Sequence, residues 1–122
     1  MERDSAPALT VQHNRQTQRV PFARILYLEQ QTHQLMLHLH DGSILQIYEK
    51  LSVLVPQLEE QGFFIPHKSF AVNLAYVQYI DPELRCFLMQ DGKNVPIRRE
   101  SMSKATKALE EFLFRRTRRP AP

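Results

Sequence analysis

With 122 residues, the chain has room for one compact domain with a buried core, and not for two. Its 43% apolar and 24% charged residues are ordinary for a globular protein; no apolar run nears membrane-helix length, the start lacks a signal-peptide pattern, and the single cysteine, Cys86, excludes an intrachain disulfide framework. A net charge of +3, outweighed by Arg115, Arg116, Arg118 and Arg119 alone, leaves the chain before them slightly acidic, which excludes a generally basic body and restricts any nucleic-acid contact to a local patch.

Residues 1–19 are polar and without period, which predicts a flexible N-terminal arm or linker. Arg24 to Leu28 reads as a short strand. From His33 to His40 the pattern alternates, with Leu35, Leu37 and Leu39 on one face and Gln34, Met36, His38 and His40 on the other. Asp41-Gly42 is a tight turn, because glycine accepts positive φ, and Ser43 to Tyr48 returns as the partner strand. Leu51, Leu54, Val55 and Leu58 then fall at helical spacing, with Gly62 as the stop; Pro56 either starts a second short helix or kinks the first.

The strand pattern resumes after Phe63-Phe64. Phe70 to Val72 is a strand, Asn73 to Tyr76 a turn, and Val77 to Asp81 another strand. Leu84 to Gln90 pairs through a second Asp-Gly turn, Asp91-Gly92, with Lys93 to Ile97. From Ser101, a plausible N-cap, a helical stripe of Met102, Ala105, Leu109, Phe112 and Leu113 runs to about Arg116. The organisation expected is an arm over 1–19, a domain over 20–114 and a basic tail over 115–122. The fold class expected is mainly β: short antiparallel sheets with one short helical segment and a C-terminal helix.

The segment with most chemical content is Phe63-Phe64-Ile65-Pro66-His67-Lys68-Ser69-Phe70-Ala71-Val72-Asn73. It sets His, Lys and Ser side by side between two apolar stretches. Lys68 can meet a phosphate or a guanine edge, and Ser69 and His67 can donate to phosphate oxygens. His67 can equally serve structure, packed near Phe63 or bonded to backbone. The alternatives for Lys68, Lys93 and Arg98 are solvated surface charge, and for His33 an exposed loop histidine.

Taken in order, the strand Ile25-Leu26-Tyr27-Leu28-Glu29, the turn Leu39-His40-Asp41-Gly42, the helical Leu51 to Leu58, the His-Lys-Ser segment, the strand Val77 to Ile80, and Asn94-Val95-Pro96-Ile97-Arg98-Arg99 closely resemble the LytTR DNA-binding domain over about residues 20–109. The resemblance implies an elongated set of small antiparallel sheets and a bacterial transcription regulator, often the output domain of a response regulator. Such domains place loops from sheet edges into successive major-groove segments, usually over paired direct repeats. Carried over by position, the reading residues are His33, Lys68 and Arg99, with Ser69, Arg98, His67 and Lys93 as accessory contacts.

Two departures stand out. Ile65 occupies a position where the family commonly has Arg, followed by Pro66, and Arg98 stands where it often has Ser. The partners implied are double-stranded DNA, a second copy of the chain on that DNA, and a receiver domain or other regulatory partner. No cofactor, metal or membrane insertion is implied, and the expected location is the cytoplasm. His38 and His40 share a strand face at a spacing that can bind metal, but no Cys, Asp or Glu cluster completes a site. Cys86 reads as a buried small hydrophobe. Three glycines without a phosphate-loop spacing, and no nucleophile elbow, point away from an enzyme. The rival from another class is a protein-interaction module of the same fold that binds another regulator or a membrane-bound inhibitor.

Overall fold

The computed structural model describes residues 6–117. Residues 1–5 of the expected arm, and Arg118 and Arg119 of the expected tail, lie outside the described residues.

Strand β3 (Ile25–Gln31) is the axis of the fold. It pairs antiparallel with β4 (Gln34–Leu39) on one side and β7 (Phe70–Asn73) on the other. Beyond them lie β5 (Ile44–Ile47) and β6 (Phe63–His67), giving a five-stranded sheet of order β5-β4-β3-β7-β6. Ile25-Leu26-Tyr27-Leu28 is buried at every position, as a strand covered on both faces must be. A register shift between Ile25 and Tyr27 turns Leu26 and Tyr27 to one face while Ile25 and Leu28 serve the other.

Each face has its own core. On the first, Leu35, Leu37 and Leu39 meet Leu51, Leu54 and Leu58 of helix α1 (Leu51–Glu60). On the second, Leu26, Tyr27 and Val72 meet a three-stranded sheet of β8 (Val77–Asp81), β9 (Cys86–Met89) and β10 (Asn94–Pro96). Helix α2 (Met102–Thr117) closes that core with Ala105 and Leu109. The Asp-Gly turns form as their residues dictate: Gly42 and Gly92 sit at φ +92° and +89°, and each aspartate accepts the backbone N–H two residues on, from Ser43 at 2.9 Å and Lys93 at 3.0 Å. Burial raises the Cys86 thiol pKa, with a smaller push from Asp81. No helix among the described residues is long and apolar enough to cross a membrane.

One local expectation is corrected, and one choice between alternatives is narrowed. The described part of the arm is a hairpin, β1 (Ala8–His13) with β2 (Gln16–Pro21), whose Leu9, Val11 and Val20 enter the first core. The alternation Leu9-Val11 is too short to stand out among polar neighbours, and the sheet that receives it is remote in sequence. Helix α1 passes through Pro56 without a second start. The carbonyl left without a donor belongs to the preceding turn at exposed Ser52, where water can take the bond. The last α-helix begins at Met102, directly after Ser101, as its stripe predicts; a 3-10 turn over Arg99–Ser101 leads into it.

Asn73, 6% exposed, is the described polar side chain most deeply placed in the core. Its amide donates to the carbonyls of Ile25 (3.0 Å) and Phe22 (3.4 Å), and its Oδ1 accepts from Ala75 N–H (3.0 Å). It thereby ties the entry of β3 to the exit of β7. His38 lies on the second face, stacked on Tyr27 with ring centroids 4.1 Å apart. Its buried Nε2 is 3.4 Å from Glu29 Oε1 without hydrogen-bond alignment. Burial lowers the His38 pKa, against the opposing pull of Glu29 and Asp91, and Lys93 adds to the lowering. Burial, with Asp91 and Glu29, pushes the Tyr27 phenol up to about 12.

Asn73→Leu removes the partners of two buried carbonyls and one part-buried N–H, and should cost about 1–3 kcal/mol in urea unfolding; an unchanged midpoint would show those groups to be solvated. For His38, the fold favours the neutral ring. Below its unfolded pKa of about 6.5 the unfolded chain binds a proton that the fold resists, so stability is lost as pH falls through that value. The drop in melting temperature between pH 7.5 and 5 should therefore be smaller in His38→Gln than in the parent; equal drops would place the pH dependence elsewhere.

Candidate nucleic-acid interface

One end of the five-stranded sheet gathers three turns that are far apart in sequence. The first, Thr32-His33, joins β3 to β4, with Thr32 at φ +55° and His33 exposed. The second is Lys68-Ser69, a two-residue turn closed by the pairing of His67 with Phe70. The third is the Ile97–Arg99 passage from β10 to the last helix. Lys68, Arg98 and Arg99 are exposed, whereas His67 and Ser69 are half-buried.

Gln30 holds the first two turns together. Its backbone N–H donates to Ser69 O at 2.8 Å, fixing the Lys68 turn beside β3. Its side-chain Nε2 shares two hydrogens among Thr32 O (3.2 Å), Gln34 O (3.1 Å) and Glu49 O (3.3 Å), which bracket the His33 turn. Its Oε1 accepts from Leu51 N–H at 2.7 Å, seating the start of α1 against the same turn. The third turn is fastened to β6: Arg98 N–H donates to Pro66 O at 3.1 Å, one residue before His67. His33, Lys68 and Arg99 thus lie along one end of the molecule, in the order of the strands that carry them.

The accessory residues divide. His67 Nδ1 accepts from Ser69 N–H at 3.1 Å, and its ring meets Phe70 edge-on, centroids 5.9 Å apart, so the imidazole shapes the turn. In the neutral ring the hydrogen then resides on Nε2, which remains a donor. Arg98 Nε bonds Glu100 Oε2 at 2.9 Å, so its charge is partly matched within its own turn. The backbone N–H of Glu100 and the Arg98 guanidinium hold that carboxyl below its ordinary pKa. Lys93 is not brought to this end: it follows the Asp91-Gly92 turn, at the far end of β9 from Arg85.

The departures from the family pattern have structural causes. Ile65 packs against the first core, and Pro66 is fully buried at an irregularity in edge strand β6, where no ladder N–H is missed. Sequence reasoning passed over Arg85 and Lys50. Arg85, exposed at φ +53° in the turn before β9, accepts from Ile97 N–H at 2.9 Å and so flanks Arg98. Exposed Lys50 precedes α1 beside the Gln30 anchor. Neither carries a local signal; pairing between distant segments puts them there. Gln30 was also passed over, since a glutamine near a strand end looks like surface.

The family model for the LytTr DNA-binding domain matches residues 15–110. Among solved structures, the LytTr DNA-binding domain of a putative methyl-accepting/DNA response regulator from Bacillus cereus is similar, with a TM-score of 0.69 and 23% identity. That alignment covers 84% of this chain and 95% of that one. No curated protein matches.

Gln30→Leu keeps the size of the side chain and removes its amide, taking away its bonds to the Leu51 N–H and to the turn carbonyls. Hydrogen exchange at Leu51 and in residues 32–34 should speed up, with a global cost of about 1–3 kcal/mol. Unaltered exchange there would show that packing alone holds the turn.

Proposed function

This chain belongs to the LytTR family of DNA-binding domains, which places it in DNA binding and transcription regulation, and from that premise we propose that it reads duplex DNA by setting the three gathered turns into the major groove. The observation that carries this reading is the pair of backbone bonds, Gln30 N–H to Ser69 O and Arg98 N–H to Pro66 O, which lock separate turns into one row.

The spacing fits a duplex. The His33 and Lys68 turns are centred two interstrand steps apart, about 10 Å, or roughly three base-pair steps. The Arg99 passage lies one step further out, beyond β6, so the row spans about half of the ~34 Å helical repeat. A domain of this size covers one face of about half a turn. Two copies on tandem repeats, aligned by the DNA, would cover a longer operator.

In this reading Arg99 supplies a planar fork that can bond O6 and N7 of one guanine. Lys68 supplies a mobile point charge for a phosphate or guanine. His33 donates from a ring nitrogen and needs no full charge to do so. Ser69 and the Nε2–H of His67 add donors to phosphate, and Arg98 and Arg85 flank Arg99 with positive charge. Lys93, at the far end of β9, takes no part in this face.

Selection of bound duplexes from a random pool tests the proposal, and an enriched pair of repeats is the expected result. On the selected duplex, Arg99→Ala should cost about 1–3 kcal/mol and relax preference at one position. Lys68→Ala should weaken binding and flatten its salt dependence by about 0.9 in the log–log slope if its partner is a phosphate. A pool that yields no enriched sequence, with no salt-dependent shift of any duplex, would favour the protein-interaction reading instead.

A further inference from the structure

The hairpin of β1 and β2 has no role in the reading above, and β1 lies wholly outside the matched span 15–110. Its turn is two residues long, closed by the pairing of His13 with Gln16. Both turn residues are left-handed, Asn14 at φ +52° and Arg15 at φ +63°. This is the backbone for which Asn-Gly is the favoured pair, so an arginine in the second place is the strained choice. The Arg15 side chain is exposed, and no described carboxylate pairs with it.

The tip is fastened to the sheet end that carries the His33 turn. His13 Nδ1–H donates to Gln46 O at 3.0 Å. Gln46 Nε2 donates to Gln34 Oε1 at 2.6 Å, and Gln34 Nε2 to the Tyr48 hydroxyl at 3.2 Å. Gln34 directly follows His33. Tyr48, 79% exposed, lines both the shallow depression that holds His33 and the one that holds His13 and Asn14. The tip therefore continues the row past His33, on the side away from Arg99.

We propose that Arg15 is a DNA-backbone contact: its guanidinium takes a phosphate of the same duplex, flanking the bases read from the His33 side. This inference rests on the DNA-binding reading. The side chain is long, ends in a planar group and is always charged, which suits a phosphate oxyanion, and the hairpin tip lies at the outer end of the row, past the turns that enter the groove. A contact of this kind adds affinity and fixes position without reading a base.

The test uses the selected duplex and Arg15→Gly, which suits the left-handed backbone and so keeps the turn. Affinity at low salt should fall several-fold, and the log–log salt slope should become shallower by about 0.9, one phosphate's worth. The ratio of cognate to scrambled affinity should stay unchanged, and the melting temperature should hold or rise. Arg15→Lys should keep the parent slope. Trimming the duplex on the His33 side should abolish the difference between parent and Arg15→Gly. Parent affinity and slope in Arg15→Gly, while Arg99→Ala still loses binding, would overturn the Arg15 assignment and leave the general reading intact. A changed base preference in Arg15→Gly would also overturn it. Parent that shifts no duplex at all would remove the premise instead.

Discussion

A single glutamine ties together two turns that are far apart in sequence. Gln30 lies near the end of β3 and bonds in three directions: to the Lys68-Ser69 turn through its backbone, and to the His33 turn and the start of α1 through its side chain. Loops that carry contact residues are ordinarily the most mobile parts of a domain. Here two turns are bonded to the same residue, one through its backbone and one through its side chain. Loops ordered in advance would, in the proposed reading, lose less entropy on binding DNA.

The anchor works because the sheet behind it is rigid. β3 is buried on both faces, between a leucine-rich core with α1 and a second core that includes Phe87, Met89 and α2. A strand packed on both sides cannot slip, since a shift of one residue would exchange the two faces. Asn73 adds a polar lock where β3 enters and β7 leaves. The asparagine that closes the His-Lys-Ser segment is thus a structural member, while Lys68 in its middle faces solvent. Within eleven residues the chain joins an exposed turn to a buried bond network.

Charge is distributed in the same economical way. The body is near neutral, and cations collect at one end because separate turns meet there: Lys50, Lys68, Arg85, and the adjacent Arg98 and Arg99, come from four connections. Glu100 balances Arg98, which limits indiscriminate attraction to phosphate and leaves Arg99 as the unmatched fork of that passage. Ile65 and Pro66 take nothing away from this surface, because both are committed to packing and to the Arg98 bond.

Much of the architecture was legible in the chain itself. Alternation at Leu35, Leu37 and Leu39, paired Asp-Gly turns, and the 3.6-residue stripe at Ala105 and Leu109 are local signals, set by the geometry of a strand, a turn and a helix, and each formed where it was read. The His-Lys-Ser segment likewise announced its turn. What local pattern could not carry was anything that depends on a remote partner. The hairpin at Ala8–Pro21 needed a sheet to receive Leu9 and Val11. The helix through Pro56 needed a core to outweigh one lost bond. The displacement of Lys93 to the far end of β9, the nearness of Arg85 to Arg98, and the role of Gln30 all follow from pairings between segments tens of residues apart. Sequence determined which residues could turn, alternate and carry charge, because those properties belong to neighbours along the chain. The tertiary structure alone decided which charges stand together, because that is set by which distant strands share hydrogen bonds.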